Sequence, residues 1–412
     1  MGGSHSHREH DDDHVEVGVR ARIVLLGLLA LCAAGTVAGL VHLWPDHERV
    51  ESTLGSVAYA APGVTFPHAE VVSVGATCPQ TGPPPAGETL EEALAAAPEA
   101  ECGQVTARVL EGADEGDEVG FAVPPDVEGS GLRAGDLVEL QRNPSAEGAQ
   151  TTYALFGVDR SRTMWLLLGG FLLAVVAVAR LRGLMAMVGL AAGGYVMVQF
   201  MLPALLLGAS GLGVAVVGSA AIMFIALYLA HGPSMRTSAA LAGTLGGIAV
   251  TAVVGLIAIR SARLSGVTDE SALILSSYVD GVSFQGLLTC ALIVAGLGVL
   301  NDVTITQSSA VWELRAAAPT MSRRALFRSG MRIGRDHIAS TIYTIVFAYA
   351  GTALSVLLLL FLYQRPAGSL LSTGEISTEV VTTLATAIGL VLSVPLTTAI
   401  AAATVGPARS PA

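Results

Sequence analysis

Asn301, Asp302, Thr304, Thr306 and Gln307 end a stretch, Phe284 to Leu300, that runs seventeen residues without a charge. An amide, a carboxylate and hydroxyls in so apolar a setting are costly in lipid unless they face a bundle interior, a cavity or the interface. At helical spacing Asp302, Thr306 and Ser309 share one face and Asn301 and Thr304 share another, which predicts an inward-facing polar stripe. Asp336 and His337 open the next apolar stretch from the same side, followed by Ser340, Thr341, Tyr343 and Thr344. Carboxylate, amide, hydroxyl and imidazole together can bind a cation or relay a proton. A structural reading of the same residues stays open: Asp302 pairs with an arginine of the connecting loop and Asp336 caps a helix N-terminus.

Three other groups of residues could do chemistry. His5, His7, His10 and His14 surround Asp11, Asp12 and Asp13, a donor set able to hold Zn or Ni; a solubilising tail is the alternative. Gly208-Ala209-Ser210-Gly211 has the pattern of intramembrane serine proteases, whose nucleophile needs a histidine base within hydrogen-bond reach. His231 and His337 fall at the opposite ends of their apolar segments, a membrane thickness away, so this motif is expected to be a tight inter-helical turn. The acidic run Asp114, Glu115, Asp117, Glu118 reads as a solvated turn with at most weak affinity for a cation. No catalytic or cofactor-binding arrangement stands out, and the chain is not read as an enzyme.

The elements that must position these residues follow from composition. Of 412 residues 52% are hydrophobic and 13% charged, and the mean hydropathy is +0.63, far above a soluble globular chain. A span needs roughly 20 mostly apolar residues, and eight segments are expected to provide one: 23–44, 164–179, 184–207, 212–230, 238–259, 284–303, 337–363 and 379–405. All 22 Lys and Arg positions are arginine, and the net charge of -11 does not suggest a nucleic-acid partner, which calls for a clustered basic surface. Arg20 and Arg22, Arg180 and Arg182, Arg236, and the cluster Arg315, Arg323, Arg324, Arg328, Arg332 and Arg335 all fall on one side of an eight-span topology. Short loops rich in arginine stay in the cytoplasm, which places both termini inside.

The expected organisation is therefore an all-α polytopic membrane protein of about eight transmembrane helices, with a small extracytoplasmic β domain between the first and second. Its parts are a cytoplasmic tail (1–22), a first span (23–44), the β domain (45–162), a seven-helix membrane domain (163–405) with an arginine-rich cytoplasmic loop (307–336), and a short tail (406–412). The segment 45–162 carries twenty Asp and Glu against six Arg and five short Val- and Leu-rich runs separated by turn sequences. Cys78 and Cys102 lie in it, where an oxidising exterior would let them pair. Gly35/Gly39, Gly189/Gly193 and Gly243/Gly247 are spaced for close helix packing, and Pro203 and Pro395 are candidates for kinks. Residues 310–335 read as an amphipathic segment broken at Pro319, suited to lie on anionic lipid or to receive a partner protein.

The run LGVLNDVTITQSSAVWELRAAAPTMSRRALFRSGMRIGRDHIASTIYTIVFAYAG resembles the signature region of the YibE/F-like family of bacterial multi-pass membrane proteins. VLEGADEGDEV and LRAGDLVEL extend the resemblance over roughly residues 60 to 405. It implies an integral protein of a bacterial cell membrane and supplies no mechanism. A transporter or permease subunit for a small solute or ion is the function expected, the alternative being a non-transporting envelope accessory or scaffold.

Overall fold

The structure, a computed structural model, describes residues 15, 17–75, 103–124, 127, 129–144, 151–268, 270–279, 281–364, 366–370 and 372–406. His5, His7, His10 and His14, the metal candidates, lie outside them, as do Cys78 and Cys102, the expected disulfide. The other two cysteines, Cys32 and Cys290, are free thiols. The chain is mostly helical, 70%, with one small curled β sheet in its N-terminal part. It divides into two compact units, Val57–Ala174, and Met1–Ser56 with Val175–Ala412.

The smaller unit holds five antiparallel strands, β1 (His68–Val74), β2 (Gln104–Val109), β3 (Glu118–Ala122), β4 (Leu137–Asn143) and β5 (Thr152–Val158), in the order β3-β2-β1-β4-β5. Alternation dictates which face is buried: Ala69 and Val71, Val105, Ala107 and Val109, Val138 and Leu140 form one core with Phe121, while Thr106 and Arg108 point away. Register shifts at Val71/Ser73 and Glu139/Leu140 increase local twist, and the edge strands β3 and β5 approach one another. Two residues of the acidic turn are engaged here. Asp114 accepts from Arg142 Nε at 2.5 Å and from the Tyr153 hydroxyl, and Glu118 pairs with Arg108 at 2.9 Å, so that turn ties strands together.

The larger unit is helical: α1 (Val19–Leu43), α2 (His47–Ser56), the end of α3 (Ser161–Val196), α4 (Gly211–His231), α5 (Met235–Ser261), α6 (Glu270–Tyr278), α7 (Phe284–Ala317), α8 (Arg323–Thr352), α9 (Leu354–Leu362) and α10 (Gly374–Thr404). Six helices are long and apolar enough to cross a membrane, or seven if α8 and α9, bent by 66° at their junction, count as one. Helix α3 is counted as one with Met197–Leu206, yet it is broken at Arg180, where φ is 53° and ψ -136°. Residues eight apart in an unbroken helix stand about 12 Å apart along its axis. A Cβ on Gly183 would lie 2.7 Å from Val175 Cγ1, so the chain bends sharply at the expected turn between the second and third apolar segments. Pro203 follows a π-helical turn, Met197–Met201, which accommodates its missing N–H, whereas Pro395 sits inside an uninterrupted α10.

Serine hydroxyls cap four helix starts. Ser210, Ser234, Ser283 and Ser322 accept from the N–H groups of Gly213, Thr237, Gly286 and Ala325, so Gly208–Gly211 is the tight turn expected of it. The cap at Ser322 corrects the expected helix start at Asp336. The helix starts at Arg323 and not at His337, so Asp336 lies more than three turns inside α8 and cannot cap it. The surface-lying segment expected over residues 310–335 is instead the end of α7, a five-residue turn and the start of α8. Its apolar side chains Val311, Trp312 and Leu326 are buried in the core.

Helices α5, α7 and α10 form the centre. Gly243 meets Thr397, Gly247 meets Ser393, and Gly389 meets Thr251, a four-residue ladder ascending α5 and descending α10. With no Cβ on one side of each contact, the backbones come close enough for dispersion to hold them together in lipid. Gly247 and Gly255 receive Leu300 and Leu292 of α7 in the same way.

Candidate functional site

The α7–α8 hairpin is held by its own polar groups. The Arg315 guanidinium, 5% exposed, donates to the carbonyls of Pro319 and Met321 at 3.0 and 2.8 Å, closing the turn that joins the two helices. Arg323 donates to the Val405 carbonyl at 3.1 Å, and Val405 is bridged to Val17, so both ends of the described chain meet the start of α8.

Below that turn the predicted polar residues separate into two faces. Gln307, 2% exposed, donates its amide hydrogens to the Gly330 carbonyl of α8 and to Thr398 Oγ1 of α10, each at 2.8 Å. Thr304 and Thr244 share a hydrogen bond of 2.6 Å between α7 and α5, and Ser308 donates to the Arg236 carbonyl at 2.8 Å. This buried face is a three-way polar fastening. Helix α8 reaches it because Gly330 and Gly334 lack side chains. A Cβ on Gly334 would lie 2.9 Å from Gln307 Oε1, and one on Gly330 would lie 2.9 Å from Thr398 Cγ2. The Gly330/Gly334 spacing is the trace of this contact in the sequence.

The other face corrects the expected inward stripe. Asp302, Thr306 and Asp336 are exposed, Asp302 with 68% of its side chain. Helix rotation explains the division: Val303, Thr304, Gln307, Ser308 and Val311 occupy the core side, which turns positions 302 and 306 outward. His337, expected to face Asp302, does so: its Nε2 stands 3.7 Å from Asp302 Oδ2. That separation is beyond a hydrogen bond, so Nε2 has a long ion-pair contact and, among the described residues, no hydrogen bond, and neither has the covered Oδ1 of Asn301. Among the described residues Asp302 has no arginine partner, so the arginine pairing expected by the structural reading is not found there. Ser340 and Thr341 donate to the His337 carbonyl and serve the helix backbone.

Cavities of about 470 and 450 Å³ in this unit are lined by residues other than Asp302 and His337. Among the described residues no three His, Cys, Asp or Glu side chains converge to hold a metal. The chemistry available at the hairpin is therefore one exposed carboxylate beside one half-buried imidazole.

No curated protein and no solved structure matches the chain. The family of YibE/F-like proteins matches residues 167–407. That span takes in the whole of α4 to α10 and leaves out the β sheet, so the resemblance is shorter at its N-terminal side than the expected start near residue 60. With more than half of its residues matched, the chain belongs to the YibE/F-like family.

Proposed function

We propose that this protein is a transporter or permease subunit for a small solute or ion in the plasma membrane of a bacterium, with no enzymatic step of its own. The topology proposed is eight spans: α1, the two parts of α3 divided at Arg180, α4, α5, α7, the bent pair α8 and α9, and α10. Both termini and the arginine hairpin lie in the cytoplasm and the β sheet outside. One observation carries the transport reading: hydroxyls are buried without partners along the central helices. Thr251 on α5 and Thr386 and Thr397 on α10 are at most 1% exposed, and none of their side-chain oxygens has a hydrogen-bond partner among the described residues. Within a bilayer such groups are expensive and mark polar routes. Asp302 and His337 would then stand at the cytoplasmic end of the conduit.

The test is the pair Thr386→Val and Thr397→Val, which keep shape and remove the unpaired hydroxyls. Removing an unsatisfied polar group is neutral or stabilising for folding, so a conduit predicts normal or raised thermal stability with failure to complement a deletion strain. Full complementation by the double variant would remove the conduit from this seam.

The scaffold reading keeps one observation in its favour. Arg324, Arg328, Arg332 and Arg335 on α8 have no ion-pair partner among the described residues. Arg323, Arg324, Phe327 and Arg328 line a groove of about 400 Å³ against Ala399 and Ala402 of α10. Guanidinium groups above an apolar wall suit the phosphate and first methylenes of an anionic lipid. Retention of phosphatidylglycerol during purification, lost in Arg324→Gln/Arg328→Gln, is the expected outcome.

A further inference from the structure

The cavity of about 470 Å³ lies between α6, α7, α8 and the start of α10. Glu375 and Glu379 enter it one helical turn apart, with Tyr349, Thr378 and Thr382 beside them. Two carboxylates at this spacing repel one another. Neither has a cation within 4.0 Å among the described residues. Among the described residues the covered Oε2 atom of Glu379 accepts no hydrogen bond, and the covered Thr378 hydroxyl has no partner either. Thr382, 9% exposed, lines the same space, and its hydroxyl has no hydrogen-bond partner among the described residues. Structural carboxylates within a membrane helix are expected to be paired, and these are arranged as acceptors awaiting a donor.

The opposite wall decides the kind of donor. Apart from the hydroxyls of Thr268 and Ser271, that wall is hydrocarbon: Leu275 of α6 and Leu287, Leu288, Ala291 and Ala295 of α7. A hard inorganic cation surrounds itself with six or more oxygen ligands and would leave that hydrocarbon without a partner. It would also occupy a small part of the volume. A carboxylate pair facing an apolar wall at this size matches the usual design of a small-molecule pocket, with few convergent polar groups and much hydrocarbon. We propose that this cavity binds a small organic cation, an amine with a short apolar body, its ammonium held by Glu379 and Glu375 and its hydrocarbon by α6 and α7. The assignment is of a binding site and stands whether or not the protein transports.

The experiment uses the full chain in phosphatidylcholine nanodiscs, titrated calorimetrically with n-butylammonium, with empty nanodiscs to subtract partitioning. Saturable binding is expected, weakened at least tenfold by Glu379→Gln and by Ala291→Phe, whose ring fills the space, and unchanged by Glu313→Gln on the exposed face of α7. The melting temperature of the unaltered protein should rise with n-butylammonium concentration, as for any ligand of the folded state alone; this readout needs no variant to fold. Neutral n-butanol binding as tightly, equal affinity in Glu379→Gln, or no heat above empty nanodiscs would each overturn the assignment. Displacement of n-butylammonium by equimolar sodium chloride would overturn it too, by giving the site to an inorganic ion.

Discussion

Gln307 and Asp302 are five residues apart and have opposite fates, and single substitutions should separate them. Gln307→Leu keeps volume but removes the hydrogen bonds to the Gly330 carbonyl and the Thr398 hydroxyl, a loss of about 1–3 kcal/mol for two bonds; the hydroxyl keeps its bond to the Val394 carbonyl. Unfolding in denaturing detergent should register it. Asp302→Asn should leave the same curve within about 0.5 kcal/mol, because the side chain is exposed and its one ion pair is long. If Asp302 and His337 relay a proton, Asp302→Asn and His337→Gln should nonetheless abolish complementation while expression stays normal. Loss of expression in Asp302→Asn would return that residue to a structural role.

In the β sheet, titration is the residue-scale test. His68 Nδ1 lies 2.5 Å from Glu111 Oε1. That contact raises the imidazole pKa above its ordinary value near 6.5 and lowers the Glu111 carboxyl below its ordinary 4.5. The raised histidine stabilises the fold below its unfolded pKa and loses that contribution as pH rises through the folded one. The lowered glutamate contributes above its unfolded pKa and loses it as pH falls through the folded one. Protection of β1 and β2 from hydrogen exchange, normalised to intrinsic rates, should therefore peak between about pH 4.5 and 6.5. Both groups are half exposed, so the peak should be shallow, and Glu111→Gln should flatten it.

At the scale of elements, the glycine ladder between α5 and α10 predicts opposite effects for one substitution at two sites. An alanine Cβ at Gly389 would fall 1.8 Å from Thr251 Oγ1, and Thr251 is fully buried with no room to turn. Gly389→Ala should cost about 1–3 kcal/mol by overpacking. Gly298, on the exposed side of α7, has nothing within 4 Å of the added methyl, and Gly298→Ala should gain roughly 0.5–1 kcal/mol from reduced backbone entropy in the unfolded chain. Equal melting temperatures for the two variants would contradict the seam as described.

For the whole molecule, the proposed orientation is open to labelling. Single cysteines at Gln150 and Glu270 should react with an impermeant maleimide in intact cells, and one at Ala325 should not. Labelling at position 325 would invert the topology.

Much of the architecture was legible in the chain. Hydropathy alone locates the apolar helices, since an uncharged run of about 20 residues has no competing fold in lipid. Short Val-, Leu- and aromatic-rich runs between turn sequences located the five strands of the sheet, from Val71 to Phe156, because such residues suit a pleated, half-buried surface. The GxxxG pairs at Gly189/Gly193 and Gly243/Gly247 were packing sites as their spacing implied. Rotation about the helix axis was not legible. Asp302 and Gln307 are both polar, and periodicity says that they differ in face without saying which face the bundle covers. Only the neighbours supply that answer: Gly330 and Gly334 admit α8, Thr398 arrives from 91 residues downstream, and together they enclose Gln307 and leave Asp302 outside. The Glu375–Glu379 cavity was hidden for the same reason, because its walls are assembled from α6, α7, α8 and α10 and no local stretch contains more than one of them. Local sequence determined which segments leave water, and the tertiary contacts decided which of their polar groups remained in reach of it.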